Sequence, residues 1–271
     1  MMPDSPLEQL NSVTKPLLDY LTVLTRNFQN FFQQMMAERE AAAKVHPRVL
    51  EVLLSRGWCH SYEFPDRALI LLNKLADAGD LEHIDLLMAD FTRHQFDRIQ
   101  HAACKTYPAR AAILTDAFEA HQSKKFTLSV PTLLAQVDGI GCEVLGIGRY
   151  FYYKDRRKDG LANVLAQLKL PGEGTPYPVS PIHKQMLAAF EVDWPLTLDS
   201  NKRPVGSPLL NRNGVLHGLD TDYATEMNSL RCVLLLGFLL EVRKWLREEF
   251  PKEVAETAAI LEGIPSGDVD G

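Results

Sequence analysis

Three observations predict an all-α fold, a bundle of helices. Apolar residues recur at helical spacing through most of the 271 residues. Alternating apolar and polar runs closed by Asn-Gly or Asp-Gly hairpin turns are not evident. Proline and glycine fall between the periodic stretches, where they start and stop helices.

The elements follow in order. From Pro16 to Lys44, Leu17, Leu21, Leu24, Phe28, Phe31, Phe32 and Met35 keep helical spacing among good helix formers. Pro16 suits a first turn, and Pro47 is expected to stop the run. Further helices are predicted over roughly 47–56, 65–78, 81–105 and 109–123, with Gly57 and Gly79 after the first two and Pro108 opening the last. Residues 127–146 read as an apolar helix despite their glycines. A stretch rich in charge, Gly and Pro runs from about Arg149 to Pro181, with a short helix at 160–169 and another at 181–190. Residues 191–220 carry three prolines and read as loop and turn. The longest helix of this half covers 223–249, with Thr221 or Asp222 a natural N-cap. Pro251 starts a short terminal helix before a frayed tail. No internal repeat is visible. A boundary near residue 125 separates a helical N-terminal region, 1–125, from a second helical domain, 126–265.

Composition narrows the class. Hydrophobic residues make up 46% and charged ones 24%, the balance of an ordinary globular protein. A net charge of −6 excludes a wholly basic nucleic-acid binder and leaves a local basic surface open. The N-terminus has neither the basic nor the apolar region of a secretory signal. The apolar stretch Val233 to Val242 is interrupted by Glu241 and too short to span a bilayer, so no membrane association is expected. Cys59, Cys104, Cys142 and Cys232 show no ligand or CxxC spacing and read as buried free thiols in a reducing cytoplasm.

Familiar site classes then fail. Gly139, Gly141, Gly146 and Gly148 do not form a phosphate-cradling loop and read as close helix packing. No GxSxG, HExxH or calcium-loop pattern occurs. His94 and His101 lie seven apart on one predicted helix, but no third ligand accompanies them, so they read as structural or solvated. Neither a metal nor a cofactor is expected. The segment 149–158 is different: Arg149, Lys154, Arg156, Arg157 and Lys158 stand among Tyr150, Phe151, Tyr152 and Tyr153. Cations supply phosphate affinity and aromatic faces stack on unpaired bases, so this stretch can bind RNA. The plainer reading, which comes first, is a helix end whose rings enter the core while its charges meet water.

The strongest chemical candidate lies at 211–218, Asn-Arg-Asn-Gly-Val-Leu-His-Gly. A permanent cation at Arg212 and a group titrating near neutrality at His217 suit metal-independent RNA cleavage. A neutral imidazole can take the proton of a ribose 2′-hydroxyl, its protonated form can supply one to the leaving 5′-oxygen, and the guanidinium offsets charge on the phosphate. Positions five apart on a straight helix point about 140° apart. The Arg must therefore sit in a turn before the long helix, with Gly214 and Gly218 giving the backbone freedom to do so. Such a pair arises by chance roughly 1.4 times in a chain of this composition, and a second, Arg39 to His46, lies in the N-terminal helix. Context must decide.

That context is Asn-Arg-Asn-Gly-Val-Leu-His-Gly followed by Leu-Asp-Thr-Asp-Tyr-Ala-Thr-Glu-Met-Asn-Ser-Leu and an apolar helix. It resembles the HEPN superfamily, above all bacterial members with an Asn-Arg-polar-x-x-x-His-Gly signature. Residues 130–140 resemble the helix that precedes this motif. The likeness covers roughly 126–250. It implies a four-helix domain that dimerises, bringing two Arg/His motifs to a shared cleft. It also implies a metal-independent endoribonuclease of toxin–antitoxin or phage-defence systems, or a relative that has lost catalysis. The resemblance makes Arg212 and His217 the catalytic pair and gives Asn213 the polar position after the Arg; Gly214 departs from it as a loose residue where firmness is needed.

Two function classes follow. The first is a ribonuclease that acts as a homodimer on RNA, holds the strand with the 149–158 segment and answers to an antitoxin or other regulator. The second is a non-catalytic module for a nucleotide or protein partner, its blandest form a structural pair of Arg212 with Asp220 or Asp222.

Overall fold

The computed structural model describes residues 6–61, 63–145, 194–198 and 209–249. All regular structure among them is helical. Seven α-helices follow one another: α1 Pro6–Ser55, α2 Asp66–Asp77, α3 Leu81–Thr106, α4 Ala111–Gln122, α5 Phe126–Leu145, α6 Arg212–Leu216 and α7 Glu226–Glu249, with a 3-10 turn at Pro108–Arg110 before α4. The all-α expectation holds. No helix among the described residues is long and apolar enough to cross a membrane. The basic-aromatic segment with Arg149, Tyr152, Tyr153, Lys154, Arg156, Arg157 and Lys158 lies outside the described residues, as do the helices expected at 160–169, 181–190 and after Pro251.

Two boundaries differ from expectation. Pro47 does not stop the first helix; α1 runs through both Pro16 and Pro47 to Ser55. An internal proline costs a hydrogen bond and creates a clash, on the order of 3 kcal/mol. Here Ala42, Val49, Leu50, Leu53 and Leu54 are all buried around it, and their burial offsets that cost. The last helix starts at Glu226 rather than 223, because Thr225 caps it: its Oγ1 accepts from the Asn228 N–H at 3.1 Å. Gly57 and Gly79 do end their helices, both with positive φ.

The core is one cluster drawn from both sides of position 125. Trp58, Ile84, Met88 and Phe118 meet Leu133, Leu134, Leu236 and Leu239. The helix α7 lies against α3 and α5, and α5 against α4, while α1 packs on α2. Ion pairs Arg67–Glu38 and Arg48–Asp77 show that α1 and α2 run parallel. The connection between them must therefore double back. It does so through the interior, with Trp58, Cys59, His60 and Ser61 all buried.

A buried loop must satisfy its polar groups internally. The Trp58 indole N–H donates to Asp85 Oδ1 at 2.8 Å, and the Ser61 hydroxyl donates to Glu241 at 2.7 Å. Asp85 also takes Arg56 and Arg231, the latter at 3.4 Å and stacked over the Trp58 ring at 5.0 Å. Arg231 continues to Asn228 Oδ1 at 2.8 Å, and the Asn228 amide donates to the Tyr223 carbonyl at 3.0 Å. One polar chain thus ties α1, α3 and the start of α7, and ends on the segment that follows the Arg/His motif.

Two of the four cysteines, Cys59 and Cys232, are buried, and burial pushes both thiols well above their ordinary range; Cys104 and Cys142 are half-buried. Glycine packing is real at Gly139, where the Arg110 guanidinium lies over the bare backbone, and at Gly237, which makes room for Ile99.

Candidate functional site

The Arg/His motif is not a loop, as the prolines of 191–220 suggest, but a separate short helix. Asn211 makes it. Its Oδ1 caps α6 by accepting from the Gly214 N–H at 2.8 Å, and its amide donates to the carbonyls of Pro195 and Leu198 at 2.8 and 2.9 Å. The side chain is fully buried. The Arg212 N–H donates to the Leu196 carbonyl at 3.0 Å, so the turn 194–198 and α6 are stitched together. A buried, fully bonded Asn is costly to misplace, which makes α6 a fixed element.

Arg212 is the first residue of α6 and His217 its C-cap. The Arg212 guanidinium turns inward and donates to Asp138 of α5 at 3.0 Å and to Asn213 Oδ1 at 2.9 Å. Both charged side chains are mostly covered, 16% exposed for Arg212 and 21% for Asp138. Arg212 Nε is buried with no hydrogen-bond partner. His217 is exposed, and its ring makes no hydrogen bond among the described residues. Five residues apart on one helix, the two side chains leave on different faces. A carboxylate from α5 therefore orients the cation, while the imidazole meets solvent.

The acid that pairs with Arg212 is Asp138, rather than the sequence neighbours Asp220 or Asp222. Asp220 has another place: its carboxylate lies over Gly214, where any Cβ would overlap it. The Gly214 carbonyl also accepts from the N–H groups of Leu219 and Asp220 at 2.8 and 2.9 Å. Gly214 is thus buried and held, not loose; the glycine is there because the chain folds back onto it. Gly218 supplies the reversal, with φ of +69°.

Sequence reasoning missed Asp138 and Asn211. Asp138 did leave a signal, as one of two acids in the otherwise uncharged α5, next to Val137 and close to Ile140, both buried. A charge beside buried apolar residues asks for a partner. Asn211 left the weaker signal of an N-cap residue three positions before a glycine.

The other histidines find structural roles. His94 bonds the Asp90 carbonyl at 2.8 Å on the exposed face of α3. Among the described residues no group of three or more His, Cys, Asp or Glu is placed to hold a metal. His46, the second member of the chance Arg-His pair, is buried with its Nε2 3.1 Å from His60 Nε2. Burial and then the neighbouring imidazole push His60 down to about 3. His121 meets Ser229 Oγ at 2.7 Å, and Ser229 meets Ser129 at 2.6 Å. Both serines are completely buried, so this contact joins α4, α5 and α7 and offers no accessible nucleophile.

No family model, no curated protein and no solved structure matches this chain.

Proposed function

We propose that the chain is a metal-independent endoribonuclease of the HEPN type, with Arg212 and His217 as its catalytic pair and Asn213 beside them; because the two side chains leave α6 on different faces, the pair meets at one phosphate only across two copies of the chain. The observation that carries this reading is the unequal treatment of the pair. His217 is exposed, with no ring hydrogen bond among the described residues, while Arg212 is held by Asp138 and Asn213 on a helix fixed by the buried Asn211. Holding the cation in advance lowers the reorganisation needed when charge develops on phosphate.

In this reading His217 removes the proton from the ribose 2′-hydroxyl, and the 2′-oxygen bonds to phosphorus. The bond from phosphorus to the 5′-oxygen breaks, and a protonated imidazole supplies the proton that oxygen needs. The products are a 2′,3′-cyclic phosphate and a 5′-hydroxyl. A homodimer joining two α6 elements across one cleft would supply both imidazoles, one as base and one as acid. A role in toxin–antitoxin or phage defence, with an antitoxin or regulator, rests on the resemblance of residues 126–250 alone.

A second reading is favoured by the burial of Arg212. A cation that is 16% exposed and already paired with Asp138 can be an architectural tie in a non-catalytic nucleotide- or protein-binding module. Purified protein incubated with total RNA in EDTA separates the two. The nuclease reading expects cleavage that survives the chelator, leaves cyclic-phosphate ends, and is lost in His217→Ala without loss of fold. Intact RNA, or equal cleavage by wild type and His217→Ala, overturns it.

A further inference from the structure

We propose that the exposed stretch of α1, Tyr20 to Met36, pairs as a coiled coil with the same stretch of a second copy of this chain. This inference stands apart from the nuclease reading, since it uses none of the motif residues.

Leu21, Leu24, Phe28, Phe31 and Met35 are spaced by three and four residues in alternation, the a and d positions of a heptad. Carried on in register, the seam is interrupted at Glu38, which pairs with Arg67 of α2, and resumes at Ala42, Val45, Val49 and Val52, all buried or half-buried. Glu38 thus divides the apolar seam of α1 in two, and among the described residues the half after it packs on the rest of the chain while the half before it stays exposed. Parallel to α1, α2 begins level with Glu38, and no other helix among the described residues accompanies α1 before that residue. The uncovered stretch of about 17 residues is roughly 25 Å long.

Nine large apolar side chains on it are between 42 and 67% exposed: Tyr20, Leu21, Val23, Leu24, Phe28, Phe31, Phe32, Met35 and Met36. A patch of this size marks an interaction surface and not ordinary scatter. Seven of the nine fall on the a, d, e and g positions that a two-stranded coil encloses. At about 100 Å² each they offer roughly 700 Å² per copy, close to the 800 Å² per partner of a standard stable interface.

Charge selects the occupant. Between Tyr20 and Ala37 the only ionised side chain is Arg26, at the outermost position of the heptad. The flanking e and g positions hold Thr25 and Phe32, and Tyr20, Asn27 and Gln34. A second copy therefore meets no like charge along the seam, and no charge is present to select a different, charged helix. The polar edge, Thr22, Arg26, Gln29, Asn30 and Gln33, faces away from the seam.

The test is the oligomeric state of the full chain by sedimentation velocity over a concentration series. The expected result is a dimer in the wild type. Leu24→Glu with Phe31→Glu should weaken it by at least about 100-fold, since each copy then buries two unpaired carboxylates. Gln29→Glu with Gln33→Glu on the polar edge should leave it intact. These side chains lie outside the core, so all three forms should unfold cooperatively, the Leu24/Phe31 form earlier only by the stability that association adds to the other two. A wild type that stays monomeric overturns the proposal, whether the stretch then floats with phospholipid vesicles or stays free. So does a dissociation constant that the Leu24/Phe31 change leaves unaltered, the outcome if the α6 cleft alone joined two copies.

Discussion

Removing the carboxylate of Asp85 should bring the fold close to its stability limit. Asp85 accepts from the Trp58 indole at 2.8 Å and pairs with Arg56 and Arg231. Side-chain exposure is 13% for Asp85 and 5% for Arg231. Burial lowers Arg231 from its ordinary range, and the Asp85 charge is the chief influence acting against that. In Asp85→Ala the Arg231 guanidinium stays buried beside Arg56, with Asn228 its remaining partner among the described residues. Stranding a buried charge in this way costs about 3–5 kcal/mol, and the orphaned indole N–H adds about 1–3 kcal/mol. Together these take much of the roughly 5–15 kcal/mol available to a domain. Urea unfolding followed by circular dichroism measures the loss. Asp85→Asn, which keeps an acceptor for Trp58, should lose less. The double variant Asp85→Asn/Arg231→Met should recover at least about 1 kcal/mol over Asp85→Asn alone, because it removes the stranded cation. If Asp85→Ala costs under about 1 kcal/mol, or the two single changes simply add, the charge pair is not what holds the doubled-back connection in place.

Other outcomes follow from particular contacts. Asn211→Ala removes three hydrogen bonds, the cap of α6 among them; it should cost about 2–4 kcal/mol in thermal unfolding and abolish any RNA cleavage along with the fixed Arg212. Gly214→Ala forces the Asp220 carboxylate off the helix, at about 1–3 kcal/mol, whereas Gly218→Ala meets open space and should pay only for its positive φ, about 1 kcal/mol. Lys124, a non-glycine with φ of +57° just beyond α4, gives the opposite sign: Lys124→Gly should raise stability by about 0.5–1 kcal/mol. Acid should act through His60. Its folded value of about 3 lies below the unfolded value near 6.5, so the unfolded chain binds the extra proton between those limits. The contribution is complete above pH 6.5 and declines as pH falls toward 3, by about 2 kcal/mol between pH 6.5 and 5. Denaturant midpoints for wild type and His60→Gln should converge over that range; curves that stay parallel would remove His60 as the cause.

The Arg/His pair shows where reading residues in order reaches its limit. Its residue types and its place before the last long helix were visible, because both are local. Its partners were not. Asp138 reaches Arg212 across 74 positions, and Asn211 acts through the carbonyls of Pro195 and Leu198. Gly214, which looks loose beside its neighbours in the chain, is among the most tightly held residues of the site once Asp220 folds over it.

By itself the sequence determined that the protein is helical, and where α2 to α5 and α7 lie to within a few residues, because 3.6-residue periodicity and Gly or Pro punctuation are local properties. Only the tertiary structure decided that α1 passes through Pro47, that Trp58 to Ser61 return through the core, and that Thr225 rather than Thr221 or Asp222 caps α7. The first two depend on burial against residues distant in the chain, and the third on a choice among neighbouring caps that local preference alone leaves open. Packing free energy from such burial exceeds the local cost of a proline, and it arises only when the chain is folded.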